Sequence, residues 1–89
     1  MEIFSFLPAE LQSKNAISSI HELESVILDR LRSNTTELIN ILYRIDIEEA
    51  RVTAAFALTV DTLIASEIAK LIVARLHQKQ EIRRKYGSI

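Results

Sequence analysis

Apolar residues recur along this chain at intervals of three and four, and this spacing constrains the fold more than any other feature. The clearest run is Ile20, Leu23, Ile27 and Leu31. These residues share one face of an α-helix, because successive helical residues turn by about 100°. The chain holds one glycine and one proline, too few turn signals for a multi-stranded sheet. The sequence therefore predicts an all-α domain.

Four helices are predicted from the apolar stripes and from the residues that start and stop them. Pro8 suits the first position of a helix. The polar segment 13–19 predicts a kink or a restart in this first helix, because Ser and Asn side chains compete for backbone hydrogen bonds. Asn34 and Glu37 have capping-box spacing at the start of the second helix. The predicted helices span residues 8–32, 35–45, 47–58 and 62–86, after an N-terminal arm over residues 1–7.

The stretch YRIDIEEAR, residues 43–51, alternates apolar and polar residues as a β-strand does. A strand needs a partner, and no other segment alternates convincingly. Asp46 and Glu49 have the spacing of a second capping box. We therefore interpret the stretch as a helix end, an Asp46 N-cap and a helix start, with Ile45 and Ala50 as a weak hydrophobic staple.

The segment LTVDT, residues 58–62, predicts a break between the third and fourth helices. Thr59 and Val60 are β-branched and weak helix formers, and Asp61 can cap the next helix. A helix that continues through this segment is the alternative. Gly87 suits the end of the last helix in a left-handed conformation.

The length fits a single domain over residues 1–89, and the apolar content is rich for its size. Ile, Leu and Val account for 28 residues, more than thin stripes on four helices need. The net charge is −5 in residues 1–50 and +4 in residues 51–89. This division favours halves that complement each other within the fold or across a dimer. We expect a compact four-helix bundle-like domain, with long first and last helices, that forms a dimer.

Residues of the kind that carry catalysis are not grouped in the sequence. The chain has no cysteine, which excludes disulfides, thiol catalysis and zinc–thiolate sites. His21 and Glu24 share a helix face, but a metal site needs three or four ligands and His77 is far along the chain. There is no glycine-rich phosphate loop. We expect a non-enzymatic protein with no catalytic, cofactor-binding or metal-binding residues.

The first residues, MEIFSFLP, differ from a signal peptide, because Glu2 stands where a basic residue is usual and the apolar run is short. No apolar stretch approaches the roughly 20 residues of a membrane helix. Together with the absence of cysteine, these features predict a cytoplasmic protein that does not bind membranes.

The basic run RLHQKQEIRRKYG, residues 75–87, is the strongest chemical feature of the sequence. It predicts contact with nucleic-acid phosphates or another anion through Lys79, Arg83, Arg84 and Lys85. The alternative is compensation of the helix dipole and pairing with the acidic half. The sequence pI of about 6.1 favours this alternative.

A helix-turn-helix formed by the second and third helices is disfavoured, because Glu48 and Glu49 would face phosphates. We therefore do not expect nucleic acid to be the partner.

The last helix carries the predicted binding surface. Its seam of three-four spacing contains Ile64, Ile68, Leu71, Arg75, Gln78 and Ile82. Either Arg75 and Gln78 form a polar layer that fixes the register of a dimer, or the helix leaves the core near Ala74 and projects into solvent.

We predict a homodimer interface that includes Leu71, Arg75, Ile82 and Tyr86. In this dimer Arg75 would pair with Asp29 or Glu24 of the acidic half, since an unpaired buried charge is too costly. The predicted function is homo-oligomerisation or capture of a helical protein partner, in a structural or regulatory role. The alternative is an accessory nucleic-acid-binding protein that uses the basic C-terminal helix.

Overall fold

Four α-helices make up most of residues 3–12 and 17–86, which are the residues that the structure, a computed structural model, describes. Two short 3-10 turns come first, Ile3–Phe6 and Ala9–Leu11. The helices are α1 Ile20–Ser33, α2 Thr35–Arg44, α3 Glu49–Phe56 and α4 Asp61–Tyr86. No strand occurs in this part of the chain, so the all-α prediction is confirmed.

The first helix begins later than predicted. Pro8 does start a helical turn, but this is the 3-10 turn Ala9–Leu11. The α-helix itself begins at Ile20, so a single helix over 8–32 is wrong. The sequence predicts a kink or a restart within segment 13–19, of which residues 13–16 lie outside the described part.

Ser19 defines the start of α1. Its Oγ accepts a hydrogen bond from the backbone N–H of Glu22 at 3.2 Å. The Glu22 carboxylate accepts in return from the backbone N–H of Ser18 at 3.0 Å. The first bond satisfies an amide that the first helical turn leaves without an intrahelical partner, and the second ties the residue before the cap to that turn.

The N-terminal arm packs on α4. Phe6 is half-buried and Leu7 is buried in the core. The Arg83 guanidinium lies 5.8 Å from the centroid of the Phe6 ring, a cation–π contact. The arm therefore covers part of the far end of α4, which the two short middle helices cannot reach.

The start of α2 matches the prediction. Asn34 Oδ1 accepts from the backbone N–H of Glu37 at 3.1 Å. The reciprocal half of the capping box does not form, since the Asn34 N–H donates to the Arg30 carbonyl at 2.7 Å. The Glu37 carboxylate pairs instead with the Arg30 guanidinium and so ties α2 to α1.

The α2–α3 joint, residues 45–48, is a Schellman motif. The Asp46 N–H donates to the Tyr43 carbonyl at 3.0 Å, and the Ile47 N–H donates to the Leu42 carbonyl at 3.1 Å. Asp46 has φ +66°, in the left-handed region that glycine usually occupies in this motif. Ile47 and Leu42 are both buried, which provides the apolar contact that accompanies such helix ends.

The predicted Asp46 N-cap is therefore wrong. Asp46 ends α2, and α3 begins at Glu49 after Glu48, whose side chain makes no capping bond. Ala50 is exposed, so it does not form the predicted staple. Aspartate can both cap a helix start and adopt the left-handed conformation, and sequence spacing alone does not separate these roles.

The predicted break before the last helix is confirmed, because α3 ends at Phe56 and α4 begins at Asp61. The intervening residues 57–60 form the α3–α4 turn. Asp61 is the first residue of α4 rather than its cap, and its carboxylate accepts from Nε of Arg32 at 2.8 Å. This hydrogen bond is the main reason that the pKa of Asp61 is lowered from its ordinary value. The prediction for Gly87 lies outside the described residues.

One apolar core joins the elements, with α1 packed along α4. Its largest fully buried side chains are Leu11, Leu23, Ile27, Leu38, Ile41, Leu42, Ile68, Ile72 and Leu76. Within the described part, no helix combines the length and the apolar character that crossing a membrane requires.

Candidate interaction surface on the last helix

Helix α4 has one face that is buried in the core and another that is exposed or half-exposed. One face is in the core and contains Ala65, Ile68, Ala69, Ile72 and Leu76. The opposite face, which we call the α4 seam, contains Leu63, Glu67, Leu71, Ala74, Gln78 and Ile82. Its two end residues are large and apolar yet about half exposed, 54% for Leu63 and 52% for Ile82. The seam is therefore a mixed surface, apolar at both ends and polar at Glu67 and Gln78, that the domain covers only in part.

A shallow groove runs beside the seam, between α3 and α4. It consists of two open clefts of about 310 and 260 Å³. Leu71 lines both clefts, Glu67 lines the smaller and Gln78 the larger. Ala54 of α3 and Ala74 of α4 also line the groove, and their small side chains leave room for another helix to approach.

The α3–α4 turn extends this surface at one end. Leu58 and Val60 are exposed there, close in sequence to Leu63. Leu58 also lines the smaller cleft, so it belongs to the same surface as the groove. We call Leu58 and Val60 the turn patch.

Arg75 lies at the edge of the groove and is bound within its own chain. Its Nε donates to the Ile45 carbonyl at 2.8 Å, and its Nη1 donates to Oε1 of Gln78 at 3.2 Å. Its Nη2 lies 3.4 Å from Oδ2 of Asp46. The carbonyl of Ile45 is one of those that the end of α2 leaves without an intrahelical partner. Arg75, which follows Ile45 by 30 residues in sequence, thus caps the C-terminal end of α2.

This arrangement corrects one expectation for Arg75. Its carboxylate partner is Asp46 of the same chain, where Asp29 or Glu24 was expected across a dimer. Leu76 is the last buried residue in the described part of α4, so the helix leaves the core close to the predicted point near Ala74. The predicted seam lies on one face of α4 but runs past the end of the core, since Ile68 is buried whereas Ile82 is exposed.

The other predicted interface residues divide clearly. Leu71 is half-buried in the groove and Ile82 is exposed on the same face. Tyr86 belongs to α4, but its side chain lies outside the described part. The structure thus brings Leu71 and Ile82 together on one face, and it places Arg75 at the edge of that face.

The basic run is partly engaged within the chain. Arg83 lies over the Phe6 ring, and Arg84 Nη2 lies 3.4 Å from a carboxylate oxygen of Glu81. Lys79 is half-buried and Lys85 is exposed. Two of the four predicted anion-contact residues are thus bound within the chain, and a third is half-buried.

No group of three or more histidine, aspartate or glutamate side chains that could hold a metal ion occurs within residues 3–12 and 17–86. His21 is exposed on α1, and His77 is exposed on α4. The pKa of Glu10 is lowered, first by a backbone hydrogen bond and then by Arg44, whose Nη1 lies 2.7 Å from its carboxylate. This pair, like Asp61 with Arg32, is a link between elements and lies away from the groove.

No protein-family model, curated protein or solved structure matches this chain.

Sequence reasoning missed Leu63 and the turn patch. The sequence does not distinguish Leu63 from the neighbouring Ile64, because both fit the three-four pattern. The usable signal was the direction of Ile68, since a helix that buries Ile68 and Ile72 must present Leu63 and Ala74 outward.

Proposed function

We propose that this protein is a non-enzymatic helical interaction module that binds through the α4 seam and associates with itself. The observation that carries the proposal is the pair of half-exposed aliphatic residues, Leu63 and Ile82, at the two ends of one groove-lined helix face. Covering each of them with a partner would contribute roughly 1 kcal/mol, about half the value of burying a whole side chain.

The polar groups beside the groove support binding rather than catalysis. Arg75 and Asp46 hold the α2–α3 joint, and Arg51 pairs with Glu48 on the surface of α3. Each of these groups therefore has a structural partner. From the sequence features alone, we place this module in the cytoplasm.

Nucleic-acid binding by the basic C-terminal helix is the less supported proposal. Arg83 and Arg84 already have partners within the chain. The clefts beside α4 contain three carboxylates, Asp46, Glu48 and Glu67, against the two guanidinium groups of Arg51 and Arg75. Negative charge beside the groove opposes the approach of phosphates. A salt-dependent gel shift with DNA or RNA would favour this second proposal.

The test is solution mass as a function of concentration, by light scattering or sedimentation. We expect the wild-type protein to dimerise and the double variant Leu63→Glu with Ile82→Glu to be a folded monomer. Tyr43→Glu is the matched control, because Tyr43 is similarly exposed, at 43%, but lies on α2. It should dimerise as the wild type does. A wild-type protein that remains monomeric at millimolar concentration would overturn the proposal of self-association.

A further inference from the structure

The α4 seam has a palindromic spacing. Its residues, Leu63, Glu67, Leu71, Ala74, Gln78 and Ile82, are separated by four, four, three, four and four positions. This series reads the same in both directions about a point between Ile72 and Val73. An antiparallel copy of α4, placed with its own midpoint at that point, therefore presents a seam residue opposite each seam residue.

The residues brought opposite each other complement one another in size. Leu71 is level with Ala74 of the second copy, so that a large side chain meets a small one twice across the two-fold axis. The two exposed aliphatic residues are level as well, Leu63 with Ile82 of the second copy. Layers of one large and one small side chain allow two helices to approach closely, with the i, i+4 rows of one helix packing into the grooves of the other.

The polar residues of the seam also match in hydrogen bonding. Gln78 accepts from Arg75 through Oε1, which assigns its amide nitrogen as the outward group. Among the described residues, the Glu67 carboxylate has no ion-pair partner. Antiparallel pairing places Glu67 level with Gln78 of the second copy, an acceptor beside a donor.

The charges along α4 also favour antiparallel pairing. A parallel, in-register pair would place Glu67 against Glu67, which repels. The antiparallel pair places Lys70 level with Arg75 of the second copy, but Arg75 is turned toward the α2–α3 joint and bonded to Ile45 and Asp46. The antiparallel direction also aligns the two helix dipoles favourably.

We infer that the occupant of the groove is a second copy of this chain, bound by two-fold, antiparallel pairing of α4 about the point between Ile72 and Val73. This inference rests on the proposed function and specifies the geometry of its self-association. The seam and the neighbouring α3 residues supply about half of the 20–30 residues per side found in standard interfaces, a size typical of weak or transient association.

Disulfide trapping tests the register, and the absence of cysteine from the chain gives a clean background. The variants are Glu67→Cys and Gln78→Cys, each prepared alone and then mixed under mild oxidation. In the antiparallel pair, the two Glu67 positions are about 16 Å apart along the axis, from 11 residues at 1.5 Å each. A disulfide needs Cβ atoms about 4 Å apart, so neither variant should link to itself.

The mixture should therefore form covalent dimer about ten-fold faster than either variant alone, because association holds the two thiols at high effective concentration. Ser25→Cys, at an exposed position on α1, measures random collision and should link slowly with either variant. The wild-type mass is measured in parallel. A dimer in which Glu67→Cys links fastest to itself, or in which the mixture shows no advantage, overturns the antiparallel register and leaves self-association standing. A monomeric wild type overturns both.

Discussion

Helix α3 is held between two connections that look alike in sequence and differ in structure. The α2–α3 joint contains Ile45, Asp46 and Ile47, and the α3–α4 turn runs into Val60 and Asp61. In each connection, an aspartate directly follows an aliphatic residue at a helix boundary. Ile45 and Ile47 are buried, at 5% and 7% exposure, whereas Val60 is 48% exposed.

This difference in burial follows from the backbone conformation at each aspartate. The left-handed conformation of Asp46 reverses the chain, which allows the isoleucines on both sides to enter the core. Arg75 then secures this reversal by bonding the Ile45 carbonyl. At the turn, Asp61 simply starts α4, and its carboxylate makes an exposed pair with Arg32. The joint is thus a structural element, whereas the turn leaves apolar side chains on the surface.

The largest effect should come from removing an apolar anchor of the joint. Ile47→Ala should lower the free energy of unfolding by about 2–4 kcal/mol, because it leaves a cavity beside the core. Leu58→Ala, the matched truncation at the turn, should cost roughly 1 kcal/mol or less, since Leu58 is exposed. Urea unfolding at low protein concentration measures both without a contribution from self-association. Equal losses would contradict the contrast between the two connections.

An intermediate effect is expected from the arginine that secures the joint. Arg75→Ala should cost about 1–3 kcal/mol, because the Ile45 carbonyl loses its donor in a partly buried position. Arg32→Ala, which removes the exposed pair at the turn, should cost less. Arg75→Lys should recover part of the loss if one bond to the carbonyl is regained. Thermal unfolding of the three variants gives the order, and an Arg32→Ala loss larger than that of Arg75→Ala would reverse it.

The smallest effect concerns the conformation of Asp46. Asp46→Gly should leave stability unchanged or raise it by up to about 1 kcal/mol, because glycine adopts a positive φ without steric cost. Asp46→Val should lower stability by about 1–2 kcal/mol, since a β-branched side chain is strained at this φ. The exposed carboxylate adds only a 3.4 Å contact with Arg75. If Asp46→Gly proves as harmful as Asp46→Val, the carboxylate matters more than the backbone.

Most of the helical architecture could be predicted from residues that act locally. The Asn34 cap, the break before Asp61 and the extent of α4 depend on side chains within one turn of the boundary. The Asp46 role could not be predicted, because the bond that secures its conformation comes from Arg75, 30 residues away from Ile45. The burial of Ile68 and the exposure of Leu63 could not be predicted for a similar reason, since Leu63 and Ile64 both fit a helical stripe until the packing of α1 selects one face.

The sequence by itself determined that the chain is helical, where three of its helix boundaries fall, and that it carries more aliphatic residues than thin stripes on four helices need. These properties follow from local hydrogen bonding and from periodicity, which neighbouring residues control. Only the tertiary structure decided which face of α4 is buried, that the N-terminal arm packs on α4, and that Arg75 caps α2. Each of these depends on contacts between residues far apart in sequence, whose geometry is set by the packing of the whole core.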